Sequence, residues 1–385
     1  MTRRVLIHVQ HLLGTGHLHR AAAIARAAAA EGLTVTLASG GMPLPGLDAG
    51  AAEIVQLAPV RVEGEDFSRL VDGDGVALDL AFKSRRRDAL LALFERVRPE
   101  VVVIEMFPFG RRAFHFELIP LLGAAWTAHP RPAVLVSVRD ILTRRRPGRT
   151  EEAAKIVRAL ADAVLVHADP RIVRFEESFP ACAAIAERLR YTGYVDAGGA
   201  IGEAGDGAGE VLVSAGGGAV GERLLTTALA AARADGRHRW RLLTGARMGE
   251  IGLAALRAAA PPHATVERFR PDFRRLMAKC AVSLSQAGYN TVVDILSARA
   301  RAIVVPYARE RETEQTLRGA RFAAAGLLRC LEEEALTAAR LASAIDAALA
   351  GPRPAAEAVD LGGASASAAA IAEWAERAAR GRMPA

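Results

Sequence analysis

Residues 4–30 read RVLIHVQHLLGTGHLHRAAAIARAAAA. The first six are a run of β-branched and apolar residues, the length and composition of a strand covered on both faces. The last eleven are almost all alanine, the strongest helix former. Between them Gly14-Thr15-Gly16 is bare enough for a tight turn in which the backbone can approach a ligand. Strand, glycine turn and helix in immediate succession predict the first βα unit of a parallel sheet.

The same punctuation recurs along the chain. Strand-like runs are predicted at 34–39 (TVTLAS), 53–58 (EIVQLA), 101–105 (VVVIE), 133–138 (AVLVSV) and 163–167 (AVLVH). A second series follows at 210–215 (EVLVSA), 239–245 (RWRLLTG), 265–269 (TVERF), 281–285 (AVSLS) and 302–306 (AIVVP). Amphipathic segments separate them, so the crossovers are helical and the sheets parallel. Between the series lies DAGGAIGEAGDGAGE (196–210), too rich in glycine and too poor in large apolar side chains to build a core. The expected fold class is therefore α/β, two Rossmann-like parallel-sheet domains facing a central cleft. Residues 1–196 form the first, 197–209 a linker and 210–362 the second. A last helix follows Gly362-Gly363, with Ile371 and Trp374 on one face, expected to pack back on the first domain.

The bulk composition excludes several classes. At 385 residues the chain has length for two cores. No apolar run is long enough to span a bilayer, and MTRRVLIHV enters a strand without a secretory leader pattern. Cys182, Cys280 and Cys330 are far apart, so neither a disulfide framework nor a thiolate zinc site is expected. Net charge is +7, yet of the 50 basic residues only Lys83, Lys155 and Lys279 are lysines. That bias, beside the alanine excess, reads as genome composition, and no helix-turn-helix or aromatic-basic module supports nucleic-acid binding.

The two glycine loops differ in the chemistry they offer. The first fails as a dinucleotide fingerprint because His19 stands at the third glycine position and Ser39-Gly40-Gly41, not an acid, ends the next strand. No Gly-Lys-Ser/Thr follows, so it is no Walker loop. His17 falls in the first turn of the helix, where the positive helix end lowers an imidazole's pKa and leaves it able to accept a proton. A histidine capping its own helix is the alternative, and the loop alone leaves both open. His8, His11, His17 and His19 match no zinc spacing, and Asp72-Gly73-Asp74 lacks the acid that would complete a calcium loop, since Lys83 stands there. No metal is expected. The second loop, 214–221 (SAGGGAVG), matches Gly-x-Gly-x-x-Gly between strand and helix, and its amides suit a diphosphate. The third constellation, SQAGYNTVVDIL (285–296) with Glu314 and Gln315 beyond the next strand, gathers polar groups at carboxyl ends of parallel strands, where such sheets bind ligands.

Ser-x-Ala-Gly-x-x-Thr-x-x-acid at 285–294, Val-Pro-x(8)-Gln ending at Gln315, and the opening Gly-Thr-Gly-His together resemble glycosyltransferase family 28. That family includes the N-acetylglucosaminyltransferase of the peptidoglycan lipid precursor. The resemblance implies a GT-B fold and metal-independent, inverting transfer of a hexosyl group from a UDP-sugar, by default UDP-N-acetylglucosamine. It implies that Gly216, Gly217 and Gly218 cradle the diphosphate. Phe269 and Arg270 would offer backbone groups to the uracil, and Asp294 would read the ribose. Glu314 and Gln315 would read the sugar, with Gln286, Gly288, Asn290 and Thr291 completing the donor site. Gly16 would meet the reacting end of the donor. Two departures stand out: Asp294 replaces a glutamate, and Glu314 a glutamine.

On the acceptor side, the strand ending in Glu105 continues as MFPFGRR and another ends Arg139-Asp140. His17 is the expected base, with Glu105 and Asp140 as alternatives, and Phe109, Arg111 and Arg139 the expected acceptor contacts. The acceptor is a lipid-linked or small molecule, and no cofactor beyond the donor is implied. Location is expected in the cytoplasm, free or peripheral at the inner membrane face. A nucleotide-sugar hydrolase of the same fold and a non-catalytic nucleotide-sugar binder are the alternative readings.

Overall fold

The computed structural model describes residues 2–64, 66–143, 148–198, 206–215, 221–245, 248–307 and 313–381. The chain divides into two compact units, residues 1–197 with 362–385, and residues 198–361.

The first unit runs β1 (Arg4–Val9), α1 (Gly16–Ala30), β2 (Thr34–Ser39), β3 (Glu53–Gln56), β4 (Val60–Glu63), β5 (Asp66–Asp72), α2 (Leu80–Val97), β6 (Val101–Glu105), α3 (His115–Thr127), β7 (Ala133–Arg139), α4 (Arg149–Leu160), β8 (Ala163–His167) and β9 (Leu189–Tyr191). Seven strands make one sheet in the order β3-β2-β1-β6-β7-β8-β9, all pairings parallel. The order reverses between β1 and β6, and at such a switch point the loops leaving the two strands diverge and open a crevice. β4 and β5 form a separate antiparallel hairpin, absent from the expectation because the 53–58 run stops at Gln56. Asp72, the last residue of β5, caps the turn that follows it, accepting from the Asp74 and Val76 amides at 3.0 and 2.9 Å, so the Asp-Gly-Asp motif is turn chemistry.

The second unit repeats the plan: β10 (Val211–Ser214), α5 (Glu222–Ala234), β11 (Trp240–Thr244), α6 (Glu250–Ala259), β12 (Ala264–Arg268), α7 (Phe273–Lys279), β13 (Val282–Ser285), α8 (Tyr289–Ser297), β14 (Ala302–Val304), α9 (Glu314–Ala324), β15 (Arg329–Cys330) and α10 (Ala338–Leu349). Its parallel sheet has the order β12-β11-β10-β13-β14-β15, with the switch point between β10 and β13. Of the expected linker, residues 199–205 lie outside the described residues. Asp206 pairs with Arg270 at 3.3 Å and so packs on the second unit.

α11 (Gly363–Ala379) belongs to the first unit. Ala368, Ile371, Trp374 and Ala375 join one buried cluster with Ala21, Ala25 and Ala28 of α1. The small alanine faces let the two helices approach closely. Gly363 makes the entry: a Cβ there would stand 2.5 Å from the Gly193 carbonyl oxygen and 2.6 Å from the Tyr194 carbonyl carbon, backbone that cannot give way.

On the opposite face a buried ion pair ties the loops together. Arg86 of α2 donates to Glu117 of α3 through Nε at 2.6 Å and Nη2 at 3.1 Å, both side chains fully enclosed. The same guanidinium donates to Gln10 Oε1 at 2.6 Å, to the Gly40 carbonyl at 2.9 Å and to the Ala58 carbonyl. A Cβ on Gly40 would fall 2.2 Å from Arg86 Nη2. Where a dinucleotide site would carry its ribose acid, this protein has a guanidinium. Glu117→Leu strands that charge in the interior and should cost about 3–5 kcal/mol, read as a lowered denaturation midpoint; an unchanged midpoint would show that the pair does not hold the loops.

Candidate active site

β1 ends at Val9 and β6 at Glu105, the two strands of the switch point. α1 begins two residues past Gly14, which places His17 in its first turn. His17 does not cap its own helix, since the N-cap Thr15 carries no side-chain bond and the imidazole turns instead to Glu105. His17 Nδ1 lies 2.7 Å from Glu105 Oε1, and Arg20, one turn along α1, donates through Nη2 to the same oxygen. Glu105 and Arg20 are almost completely enclosed, while a fifth of the His17 side chain remains exposed.

The ionised Glu105 carboxylate is acceptor-only, so its contact calls for a hydrogen on Nδ1, leaving Nε2 the acceptor, although Arg20 Nη2 stands 3.0 Å from the same Nδ1. Burial pushes the His17 pKa down to about 3 against the opposing pull of the Glu105 charge. The direction is the expected one, but enclosure leads rather than the helix end. For Glu105 burial works upward, yet the charges of His17 and Arg20, the His17 hydrogen bond and Arg111 outweigh it, and its pKa falls to about 2. The result is an ionised carboxylate orienting a neutral histidine, the arrangement that stabilises an imidazolium when a proton arrives.

Further groups stand around this pair. Glu105 is in register with Ser137 on β7, two residues before Arg139, so Glu105 and Arg139 share one side of the sheet. Arg139 is in register with His167, whose Nε2 meets Ser137 Oγ at 2.7 Å and whose Nδ1 meets Thr192 Oγ1 at 2.9 Å. Burial, then the Arg20 charge, lowers the His167 pKa to about 3. Arg111 feels the charges of Glu105, Arg139 and Arg20, its own pKa lowered chiefly by burial.

Two expected residues stand elsewhere. Asp140 is fully buried; it accepts from the Ile141 amide at 2.8 Å and from Tyr194 Oη at 3.5 Å, the role of a turn cap rather than of a base. Phe109 is 1% exposed and packs edge-on against Phe175 and Phe179 at 5.3 and 5.0 Å. It is core and offers no face to an acceptor. Its neighbours Phe107 and Phe114 are buried as well, so FPFGRRAFHF is a loop–helix junction.

In the second unit, Gly216, Gly217 and Gly218 lie outside the described residues. Ala215 and Gly221 flank them and line a cavity of about 470 Å³ between α5 and α6, with Thr226, Met248 and Gly252. Gln286, Gly288, Asn290 and Thr291 gather at the start of α8, whose N-cap Gly288 offers no side chain to cap it. Gln315 Oε1 accepts from the amides of Ala287 and Tyr307, each at 3.1 Å, and Arg318 donates to the Ala287 carbonyl at 2.8 Å. These bonds fix the 285–290 loop against α9. Glu314 is buried at the start of that helix. Asp294 pairs with Arg274 at 3.3 Å, so its carboxylate is held toward α7. The Phe269 amide donates to the Thr244 carbonyl at 3.1 Å, and the Arg270 carbonyl accepts from Phe273 at 3.2 Å. The Phe269 ring is half-exposed. Arg274, Arg318 and His167 carry no motif in the sequence, whereas Arg20 closes the Gly-x-Gly-His-x-x-Arg start that also fits a nucleotide-sugar hydrolase and lies one turn after His17 on α1.

Among the described residues no group of three or more His, Cys, Asp or Glu is placed to hold a metal ion, and no helix is long and apolar enough to cross a membrane.

Residues 244–373 match the family described as Glycosyltransferase family 28 C-terminal domain. No curated protein matches the chain in sequence. Among solved structures, the calicheamicin glycosyltransferase is similar over 100% of this chain and 96% of its own, with a TM-score of 0.60 and 17% identity. MurG of Acinetobacter baumannii is similar over 99% and 96%, at 0.57 and 14%. The spinosyn rhamnosyltransferase bound to spinosyn aglycone is similar over 100% and 97%, at 0.59 and 17%. At these identities the likeness shows the fold, the GT-B arrangement of two Rossmann-like domains.

The depressed histidines make stability depend on pH. An imidazole with folded pKa below its unfolded value binds its proton preferentially in the unfolded chain, so stability is full above about pH 6.5 and lost as pH falls toward 3. His17 and His167 act in this sense. Each should steepen the loss by up to about 1.4 kcal/mol per pH unit. Denaturation at pH 7, 6 and 5 should show His167→Gln with a shallower decline than the parent, and parallel curves would refute the buried neutral state.

Proposed function

Since residues 244–373 are a glycosyltransferase family 28 C-terminal domain, we propose that the protein transfers a glycosyl group from a nucleotide-sugar to an acceptor hydroxyl. The donor is a UDP-hexose, with UDP-N-acetylglucosamine the family default, and the reaction is a single inverting displacement without a metal. The observation that carries this reading is the His17–Glu105 pair at the switch point of the first sheet. The acceptor oxygen attacks the anomeric carbon as the bond to the departing phosphate oxygen breaks, and the hydroxyl proton passes to His17 Nε2. Glu105 holds the imidazole in that tautomer and offsets the charge it gains. The amides at the start of α8 and the glycine-rich sequence at 214–221 are of the kind suited to a diphosphate. Glu314 and Gln315 are assigned to the sugar, and Asp294 to the ribose with Arg274 sharing its charge. The acceptor is a lipid-linked or small molecule met by the first unit, and the protein works in the cytoplasm or at the inner membrane face.

The test is UDP release from a panel of UDP-sugars, with and without candidate acceptors. His17→Ala should lower turnover by about 10²–10⁴-fold while UDP affinity stays, and Glu105→Gln should lower kcat with KM for donor little changed. Turnover in His17→Ala within a few fold of the parent would remove the base assignment, and strong inhibition by EDTA the metal-free one. Rapid UDP release without any acceptor would favour a hydrolase.

A further inference from the structure

Among the described residues, Arg111 has a guanidinium nitrogen that its own fold leaves without an acceptor. It opens the turn after β6 in the left-handed conformation, φ 59°, a region that costs an L-residue with a long side chain. Its Nε is sealed from solvent and has no hydrogen-bond acceptor among the described residues. The carboxylate within its electrostatic reach is Glu105, whose Oε1 is already shared by Arg20 and His17. Arg20 and Arg139 add like charge rather than relief. Arg111 is half-buried, with its Nε sealed, whereas the fully buried Arg86 is matched by a carboxylate and carbonyls five times over. A strained backbone aiming an unmatched guanidinium at the end of β6 has the character of a half-built anion site whose other half is a ligand.

We propose that Arg111 binds an anionic group of the acceptor, a phosphate or a carboxylate, and thereby seats the acceptor beside His17. This rests on the reading of the first unit as the acceptor side. The chemistry favours an oxyanion because a planar guanidinium fork pairs with two oxygens at once, which neither a hydroxyl nor a neutral amide offers. It favours the acceptor because the motifs suited to a nucleotide, residues 285–294 and 314–315, belong to the other unit. The like charge of Arg20 and Arg139 strengthens an anion's attraction without supplying a competing one.

The experiment uses the full chain, wild type and as Arg111→Gln and Arg111→Lys, titrated separately with inorganic phosphate, acetate and UDP. Calorimetry gives affinities, and ¹⁵N-arginine NMR reports the Nε–H groups. A saturable response to phosphate or to acetate is expected, shifting one arginine Nε–H resonance that is missing from Arg111→Gln. The glutamine variant should bind that anion about tenfold or more weakly, and lysine should restore part of the loss. Response to phosphate alone assigns a phosphorylated acceptor, and to acetate alone an acidic one. UDP affinity should stay within about twofold, and the glutamine variant should melt no lower than wild type, since like-charge repulsion is relieved. Equal anion affinity in wild type and Arg111→Gln overturns the proposal, as does a lowered melting temperature with unchanged anion binding, which would make the residue structural. A tenfold loss of UDP affinity in Arg111→Gln also overturns it, because the anion would then be the donor's diphosphate. Should UDP fail to bind even the wild type, the glycosyl-transfer reading fails while the anion titration still stands.

Discussion

A single ionised carboxylate, Glu105, organises the first unit's chemistry. Taking a carboxylate out of water is costly unless donors surround it, and at the end of β6 they come from α1, across the switch point of the sheet. Arg20 supplies the permanent charge and His17 the second donor. The glycine turn ahead of α1 therefore does more than clear room for a ligand. It sets the helix so that residues one turn apart, 17 and 20, converge on one oxygen. The His17 imidazole is neutral because it is enclosed, and it is oriented because the carboxylate cannot donate.

The back of the same strands is held by the other buried charge. Arg86 answers Glu117, Gln10 and the carbonyls of residues 40 and 58, so the loops leaving β1, β2 and β3 share one guanidinium. This explains the Ser39-Gly40-Gly41 strand end physically. A side chain at residue 40 would overlap the guanidinium and Gln10, and the space that a nicotinamide-nucleotide site devotes to a ribose acid is used for structure. The first unit is Rossmann-like in topology and closed to a dinucleotide by its own packing.

Much of this was legible in the sequence because it is periodic or local. Eleven parallel strands announced themselves as short apolar runs, many of them continuous Val/Leu/Ile, and α11 through the spacing of Ile371 and Trp374. The strands that escaped were β9 and β15, of three and two residues, too short to carry a pattern, and the β4–β5 hairpin, whose polar composition resembles a loop. At the site, His17 and Glu105 could each be proposed from a strand end or helix start, but not their contact, which spans 88 positions. Phe109 misled for the converse reason: an aromatic beside arginines looks like a surface, and only the distant Phe175 and Phe179 make it core. Asp140 misled because a carboxylate after a strand serves equally as a cap.

The donor side teaches a different lesson about motif residues. Gln315, Arg318 and Arg274 bond to the backbone or to the carboxylate of neighbouring motif positions. A motif glutamine whose carbonyl oxygen holds two backbone amides presents its amide nitrogen in a fixed direction, because the two halves of a carboxamide are coplanar. The same logic applies to Asp294. A carboxylate one methylene shorter than glutamate reaches less far, and Arg274 holds it from the side of α7. Residue identities in the 285–294 and 314–315 segments are constrained by the loop they build, so the departures at Asp294 and Glu314 must first be accommodated by their partners within the protein.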